Sequence, residues 1–595
     1  MGPLDWAIIG AYLLFCVGLG FALERKASKS VDAYFLGDRN MPWWALGASG
    51  MASNVDISGT MIITALVYAL GTKGFFIELR GGLVLVMAFF MVFMGKWTRR
   101  AQVMTLAEWM RLRFGDGPEG RLARLISASA NLIVSVWVIS YFAVGGGKFF
   151  GMLTGIDDRT ATLIMMALTL AYTAASGFYG AVWTDVFQGG MILVAVLYVV
   201  FKALAAPHLP ETFAVSVPMA AGQFQQVSVA YSDWSALVPS FRLDLPGQYA
   251  AYNLFGVTVF FYLLKTCIEG FGGAGGYMSQ RYFAARSDRE AGLLSLFWIS
   301  LLSFRWPFVA AFAVLGIHFT LSGGVLSDPE LVLPTVIAAY APAGMKGLLV
   351  ACFMAAAMST FNSVINASAA YWVKDIYQTF LNPKASERTL VLHSRLASAA
   401  VVGLGMLFSL PFVNINDVWG WITMAFGSGL FLPLLLRWYW WRYNGYGFAL
   451  GTAFGAAAAV ASRFAGIALP EYMNFLVPGG AALLGCLLGT WLKPATDPAV
   501  LENFYRVTRP FGFWGPVRDK LPGSETAAIR AENRSDLAAA AFSVPWQICL
   551  FLLGLMVVMK RWDNAGLLAV LLAALSAGLY WTWFRRLDAG EPPKP

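Results

Sequence analysis

The chain has 595 residues, 58% of them apolar and 13% charged, with a mean hydropathy of +0.64 and a net charge of +9. Soluble domains average roughly 45–50% apolar and about 25% charged, so a soluble enzyme or a nucleic-acid binder is excluded. The composition selects an all-α polytopic membrane protein, and the basic excess belongs to its orientation in the bilayer.

About fifteen segments are apolar over the roughly 20 residues that a helix needs to cross the hydrocarbon layer. The first, 4–22, follows Met1-Gly2-Pro3-Leu4-Asp5-Trp6 with no basic segment before it, so it is expected to remain in the mature protein. It forms, with a cytoplasmic loop, the unit 1–41. Spans at 42–70, 76–95, 126–150, 159–176 and 182–205 make a first group over 42–206, and a polar extracellular loop fills 207–248. Spans at 249–276, 291–319, 345–372, 391–411 and 415–436 make a second group over 249–436. Two accessory spans at 447–465 and 472–491 lie in 437–492, and a polar cytoplasmic loop occupies 493–543. Within that loop Arg509-Pro510-Phe511-Gly512-Phe513-Trp514-Gly515-Pro516 is too rich in Gly and Pro for a helix. Spans at 544–560 and 564–584 close the chain in 544–595.

Basic residues follow the odd-numbered spans. Arg25, Lys26, Lys29 and Arg39 come after the first, Lys96, Arg99 and Arg100 after the third, and Arg281, Arg286 and Arg289 after the seventh. Lys560 and Arg561, after the fourteenth, are the main exception. The positive-inside rule therefore places the N-terminus outside and the C-terminus in the cytoplasm of a cell with this protein in its inner (plasma) membrane. No nucleotide-binding loop is present, which argues against an ATP-driven pump. The five cysteines lie in apolar stretches without metal-ligand spacing, and the three histidines are scattered.

Charged groups inside a bilayer cost about 2.5–3.5 kcal/mol each, so polar residues within spans are functional candidates. In the second span, Ser49-Gly50-Met51-Ala52-Ser53-Asn54-Val55-Asp56-Ile57-Ser58-Gly59-Thr60 interrupts an apolar run. Small and hydroxylic residues let a helix open and free carbonyls, which is tolerable where they line a cavity or hold an ion. A small-residue packing face with Asp56 salt-bridged nearby explains the same pattern. In the ninth span Ser359 and Thr360 give adjacent hard oxygens suited to a monovalent cation, or hydroxyls bonded back to their own helix. Asp185 opens the sixth span, where it either favours a helix N-terminus or takes part in ion passage. Glu78 and Arg80 interrupt the third span, and Lys265 and Glu269 stand four apart in the seventh. Each pair either contacts a solute or props the bundle as an ion pair.

Several ordered motifs give the chain a wider likeness. They are Tyr34-Phe35-Leu36-Gly37-Asp38-Arg39 with Pro42-Trp43-Trp44, Asp56-Ile57-Ser58-Gly59, Gly145-Gly146-Gly147-Lys148, Gly180 to Gln188, Gln280-Arg281 with Ala284-Ala285, and Ala355 to Thr360 ending in Asp375-Ile376-Tyr377. Over residues 5–436 this resembles the sodium:solute symporters of the sodium/glucose and sodium/proline type. The resemblance implies a LeuT-type core of two inverted five-helix repeats with additional helices, ion and solute meeting at broken helices near mid-membrane. Each repeat here begins on a Gly-interrupted span, the second at Glu269-Gly270-Phe271-Gly272-Gly273-Ala274-Gly275-Gly276. Carried over by position, the implied sodium ion takes backbone oxygens of Asn54, Ile57 and Ala356 and the hydroxyls of Ser359 and Thr360. Asp185 matches an acidic position tied to ion release or a second sodium. Sodium is the one metal implied.

The expected activity is therefore not enzymatic but sodium-coupled symport of a small polar organic solute by alternating access. Asp56, Glu78, Arg80, Lys265 and Glu269 are the solute-contact candidates. The glycine-rich 270–276 stretch lacks the aromatic and amide residues of the sugar transporters, whereas Phe361-Asn362-Ser363 leans toward them, so a sugar or sugar-related compound is slightly favoured. Beyond solute, sodium and membrane lipid no partner is implied, and none that is nucleic acid. A proton-coupled symporter using Asp56 or Asp185, and a sensor that binds without transporting, are the competing readings.

Overall fold

In the computed structural model the described residues are 1–27, 35–219, 222–273, 275–410, 414–465 and 470–587. Lys29, Tyr34 and Ala274 of the segments above lie outside them. With no water in the hydrocarbon layer, a spanning backbone must bond to itself, and the apolar runs accordingly form helices. Among the described residues eleven helices are long and apolar enough to cross a membrane, twelve if a bent pair counts as one span. The fold is an all-α polytopic membrane bundle of the LeuT type.

The helices that matter below are α1 (Pro3–Ala27), the bent pair α2 (Trp43–Asn54) and α3 (Ile57–Leu70), α4 (Pro118–Thr154) and α5 (Asp158–Ala205). They continue with α6 (Phe255–Gly272), α7 (Gly276–Phe283), α8 (Asp288–Leu302), α9 (Arg305–Leu321), α10 (Met345–Ala370), α11 (Glu387–Ser409) and α12 (Ile415–Tyr439). Beyond these come α13 (Gly445–Phe464), α14 (Glu471–Leu492), α15 (Gly523–Val558) and α16 (Trp562–Thr582). Helix α10 is the most enclosed of the spans, with 89% of its apolar window buried. It packs against α5, α1, α11, α2 and α4, which makes it the axis around which any site must be built.

Four expectations change, and the first two lower the count of spans. The span expected at 76–95 is a chain of short pieces, Thr72–Ile77, Glu78–Arg80, Val86–Phe89, Phe90–Met94 and Gly95–Arg100, broken where Gly81 and Gly82 follow a buried charge pair. The spans expected at 159–176 and 182–205 lie on the single helix α5, which no proline interrupts. The polar loop 207–248 carries a β-hairpin, β1 (Thr212–Pro218) paired antiparallel with β2 (Phe224–Ala230), whose alternating Val and Ser residues suit a half-buried ribbon. The loop expected over 493–543 is helical at Pro498–Thr508 and again from Gly523, where α15 begins, while Arg509–Trp514 is non-helical.

Glycines set the close crossings near the centre. A β-carbon at Gly50 would fall within the Trp298 ring, and one at Gly145 would overlap the Ser58 hydroxyl. The first lets α2 lie flat on α8; the second lets α3 cross α4 at backbone distance.

Candidate functional site

The break between α2 and α3 follows from its residues. Helix α2 ends at Asn54, the chain bends by 61°, and Asp56 restarts the helix as its N-cap. The Asp56 carboxylate accepts the Gly59 N–H at 2.5 Å, and its own carbonyl accepts the Thr60 hydroxyl at 2.6 Å. This is ordinary N-capping chemistry, placed at a site where the helix had no need to stop. The same carboxylate accepts a hydrogen bond from Tyr141 at 3.3 Å and stands 4.0 Å from an Arg305 nitrogen. A side chain at position 59 would strike Arg305, Asp56 and Tyr141, so Gly59 is what permits the three to converge. Asn54 is held at both ends of its amide: Trp298 donates to its oxygen at 2.8 Å, and it donates to the Tyr277 hydroxyl at 3.0 Å. Its backbone belongs to the last turn of α2, whose carbonyls lack onward helical partners.

Helix α10 carries the second half of the arrangement. Ala356, Ser359 and Thr360 are all buried, and Thr360 donates back to the Ala356 carbonyl of its own helix at 3.0 Å, the intrahelical bond that was the alternative reading of this pair. Ile57, at the start of α3, shares the lining of a small cavity with Ala357 and Phe361 of α10.

Next to these, four helices share a hydroxyl-rich junction. Ser49 and Ser53 are one turn apart on α2, and Ser359 and Ser363 one turn apart on α10. The Ser53 hydroxyl lies 3.2 Å from that of Ser359 and 2.9 Å from that of Ser363. Ser49 donates to Asp185 of α5 at 2.5 Å. Arg281 of α7 reaches in from the side, its Nη2 donating to Ser49 at 2.8 Å, Ser53 at 2.7 Å and Ser363 at 3.0 Å, and lying 3.6 Å from Asp185. The second Asp185 oxygen is buried without a hydrogen-bond partner, as are both amide atoms of Asn362 and the Gln188 oxygen. The sequence reading found Asp185 and Ser359 but gave no role to Arg281, Ser49, Ser53 or Ser363. The signal was available as two Ser-x-x-x-Ser pairs on facing spans.

A cavity of about 270 Å³ opens beside the break. Asn54 and Asp56 line it from the break, Thr360 from α10, Glu78 from the turn Glu78–Arg80, and Lys265 and Glu269 from α6, with Trp419 and Tyr141 adding aromatic surface. The volume lies just below the range of ligand pockets, about 300–1,000 Å³. Arg80 does not line it. It sits behind the wall, fully buried, donating to Glu78 at 3.0 Å, to Glu471 at 3.2 Å and to the Tyr252 hydroxyl at 3.3 Å, and to Asn416. Lys265 donates to the Arg80 carbonyl at 2.6 Å and to Glu269 at 2.8 Å. The four charged candidates thus form one network, of which Glu78, Lys265 and Glu269 reach the cavity.

The family model described as the sodium:solute symporter family matches residues 34–455. The chain is similar to the sodium/glucose cotransporter 4 of Danio rerio, 27% identical over 449 residues that cover 71% of this chain and 64% of that protein. It is similar also to the high-affinity proline transporter PutP of Bacillus subtilis (strain 168), 25% identical over 81% of this chain and 93% of that one. Among solved structures, a Na+-coupled sialic acid symporter in a substrate-bound outward-open state superposes with a TM-score of 0.64 at 18% identity. That match covers 83% of this chain and 99% of the other.

Proposed function

This chain belongs to the sodium:solute symporter family, and on that premise we propose that it imports a small polar organic solute, with the 270 Å³ cavity as the solute chamber. It is a membrane transporter rather than an enzyme, and sodium is its coupling ion. In this reading the ion is held by backbone oxygens of Asn54, Ile57 and Ala356 and by the Ser359 and Thr360 hydroxyls, all hard neutral donors. The observation that carries it is convergence: the break at Asn54–Asp56 and Thr360 of α10 open onto one cavity. An ion bridging α2–α3 to α10 would stiffen the chamber wall, and its loss would release that wall, so ion and solute stabilise one another through shared structure.

Asp185 and its hydroxyl neighbours lie next to the ion position and give a leaving ion or a second sodium its next oxygens. Asp56, Glu78, Lys265 and Glu269 supply donors and acceptors for hydroxyl or carboxylate groups of the solute, with Trp419 as a flat apolar face. Such a mixture suits a sugar or sugar-related compound, the substrate class named for the Danio rerio relative. With the N-terminus outside, each positive charge carried inward gains about 2.3 kcal/mol per 100 mV. Sodium-dependent uptake by proteoliposomes, assayed across sugars, polyols, carboxylates and amino acids, tests the reading. One solute class taken up only with an inward sodium gradient would support it, and uptake equal in sodium and potassium would refute it.

A further inference from the structure

Helix α15 stands outside the region that the family model matches, yet it touches the chamber wall. The segment between Glu78–Arg80 and Val86–Phe89 is an irregular turn that contributes Gly81, Gly82, Val84 and Leu85 to the cavity lining. It is not a relaxed conformation. Val84 has φ of +50°, which a β-branched side chain rarely adopts. Such a residue persists only when its surroundings hold it.

The segment's own backbone bonds, Val84 N–H to the Gly81 carbonyl at 3.0 Å and Met87 N–H to the Val84 carbonyl at 3.1 Å, supply part of the hold, and Gln547 adds to it from outside. This side chain is fully buried in α15, and its Nε2 donates to the carbonyls of Leu83 and Val84, both at 3.2 Å. Two acceptors facing one amide require the NH2 end to point at the wall, and the amide oxygen on the other side has no partner. The residue is placed for its donors alone. A glutamine buried among apolar residues of a membrane helix is costly unless its bonds matter. The helix itself is fixed from its polar end: Lys96 pairs with Glu532 at 2.9 Å and with Asp536 at 2.8 Å, and Arg100 pairs with Glu532 at 2.7 Å. Further along, Gly554 lies against Pro307 of α9, the helix that also presents Arg305 to Asp56.

From this geometry we infer that Gln547 is a positioning residue for the solute chamber, through which an accessory helix outside the family core sets the shape of the wall at 81–85. The inference rests on the cavity being the solute chamber. Gln547→Met keeps length and packing but removes both donors. Hydrogen–deuterium exchange on the full-length protein in nanodiscs should show faster exchange in peptides covering 81–90, with peptides covering 50–60 unchanged. The sodium-induced rise in thermal stability should stay at its wild-type value. For the solute taken up by proteoliposomes, KM should rise roughly two- to tenfold, the worth of one or two neutral hydrogen bonds, at unchanged maximal rate. Gln547→Asn, which retains the NH2 group on a shorter arm, should recover part of the loss.

Unchanged exchange at 81–90, or exchange that rises throughout the protein, would overturn the inference. The chamber itself is checked in parallel with Glu269→Gln. If Glu269→Gln alters KM and Gln547→Met does not, the inference alone falls. If neither alters KM, the chamber reading falls and takes the inference with it.

Discussion

Two buried polar regions lie within this bundle, and they are built on opposite principles. The junction of Ser49, Ser53, Ser359, Ser363, Asp185 and Arg281 is made of hydroxyls around one loosely spaced charge pair at 3.6 Å. The network of Glu78, Arg80, Lys265, Glu269 and Glu471 is made of charges, with Arg80 and Lys265 tied by several bonds each and Glu269 by the one from Lys265. Hydroxyls rotate, donate or accept, and exchange partners at a cost of about 1 kcal/mol per bond. A buried guanidinium with two carboxylates does not exchange partners, because leaving any charge unpaired costs several kcal/mol. An ion that must arrive and leave belongs with the first kind, and a wall that must stay in place is built from the second.

Three substitutions sharpen this contrast, beginning with the largest effect. Arg80→Met leaves Glu78 buried without its main counter-charge, and loss of about 3–5 kcal/mol of stability is expected, the usual cost of breaking a buried pair. A chemical-denaturation midpoint in detergent should fall markedly; a midpoint within error of wild type would show that the network is not structural. Asp185→Asn leaves Arg281 buried without its carboxylate, so a loss at the low end of that range, about 3 kcal/mol, is expected, softened by the three hydroxyls that Arg281 still meets. If it proves as damaging as Arg80→Met, the distinction between the two regions collapses.

The smallest effect is expected at Asp116, an exposed residue whose carboxylate accepts from Arg111 at 2.5 Å. That hydrogen bond holds the Asp116 carboxyl below its usual value. Its contribution is therefore present at neutral pH and is lost as pH falls through the lowered value of the folded state. Solvent screens the pair, so Asp116→Asn should change stability by no more than about 0.5 kcal/mol at neutral pH. A larger shift would mean that exposed charges in this protein carry weight comparable to buried ones.

Much of this was legible in the sequence, and the limits have physical causes. The break at Asn54–Asp56 could be read because Gly, Ser, Asn and Asp together in an apolar run have few other uses. Ser359 and Thr360 stood out for the same reason. The break at 78–86 was less visible, since hydropathy sums composition over a window and Glu78 and Arg80 barely lower it. Helix α5 hid the opposite way: two apolar runs joined by Gly177-Phe178-Tyr179-Gly180-Ala181 look like two spans. The first half of α15 was read as loop because a helix that leaves the membrane loses the apolar signal and here gains no clear period. Arg281 and Gln547 escaped for a different reason. Their roles depend on which helix faces which, and spacing along one chain does not encode that.

The central claim is that a sodium ion is held between the break at Asn54–Ile57 and Ala356, Ser359 and Thr360 of α10. Its most direct test is the thermal stability of the purified protein in sodium against potassium, for the wild type and for Ser359→Ala combined with Thr360→Ala. A ligand that binds only the folded state raises stability by mass action, by about 2.7 kcal/mol at one hundred times its dissociation constant. The account predicts a sodium-specific rise in the wild type and none in the double variant, whose stability in potassium stays near that of the wild type. An equal sodium response in both proteins would contradict it.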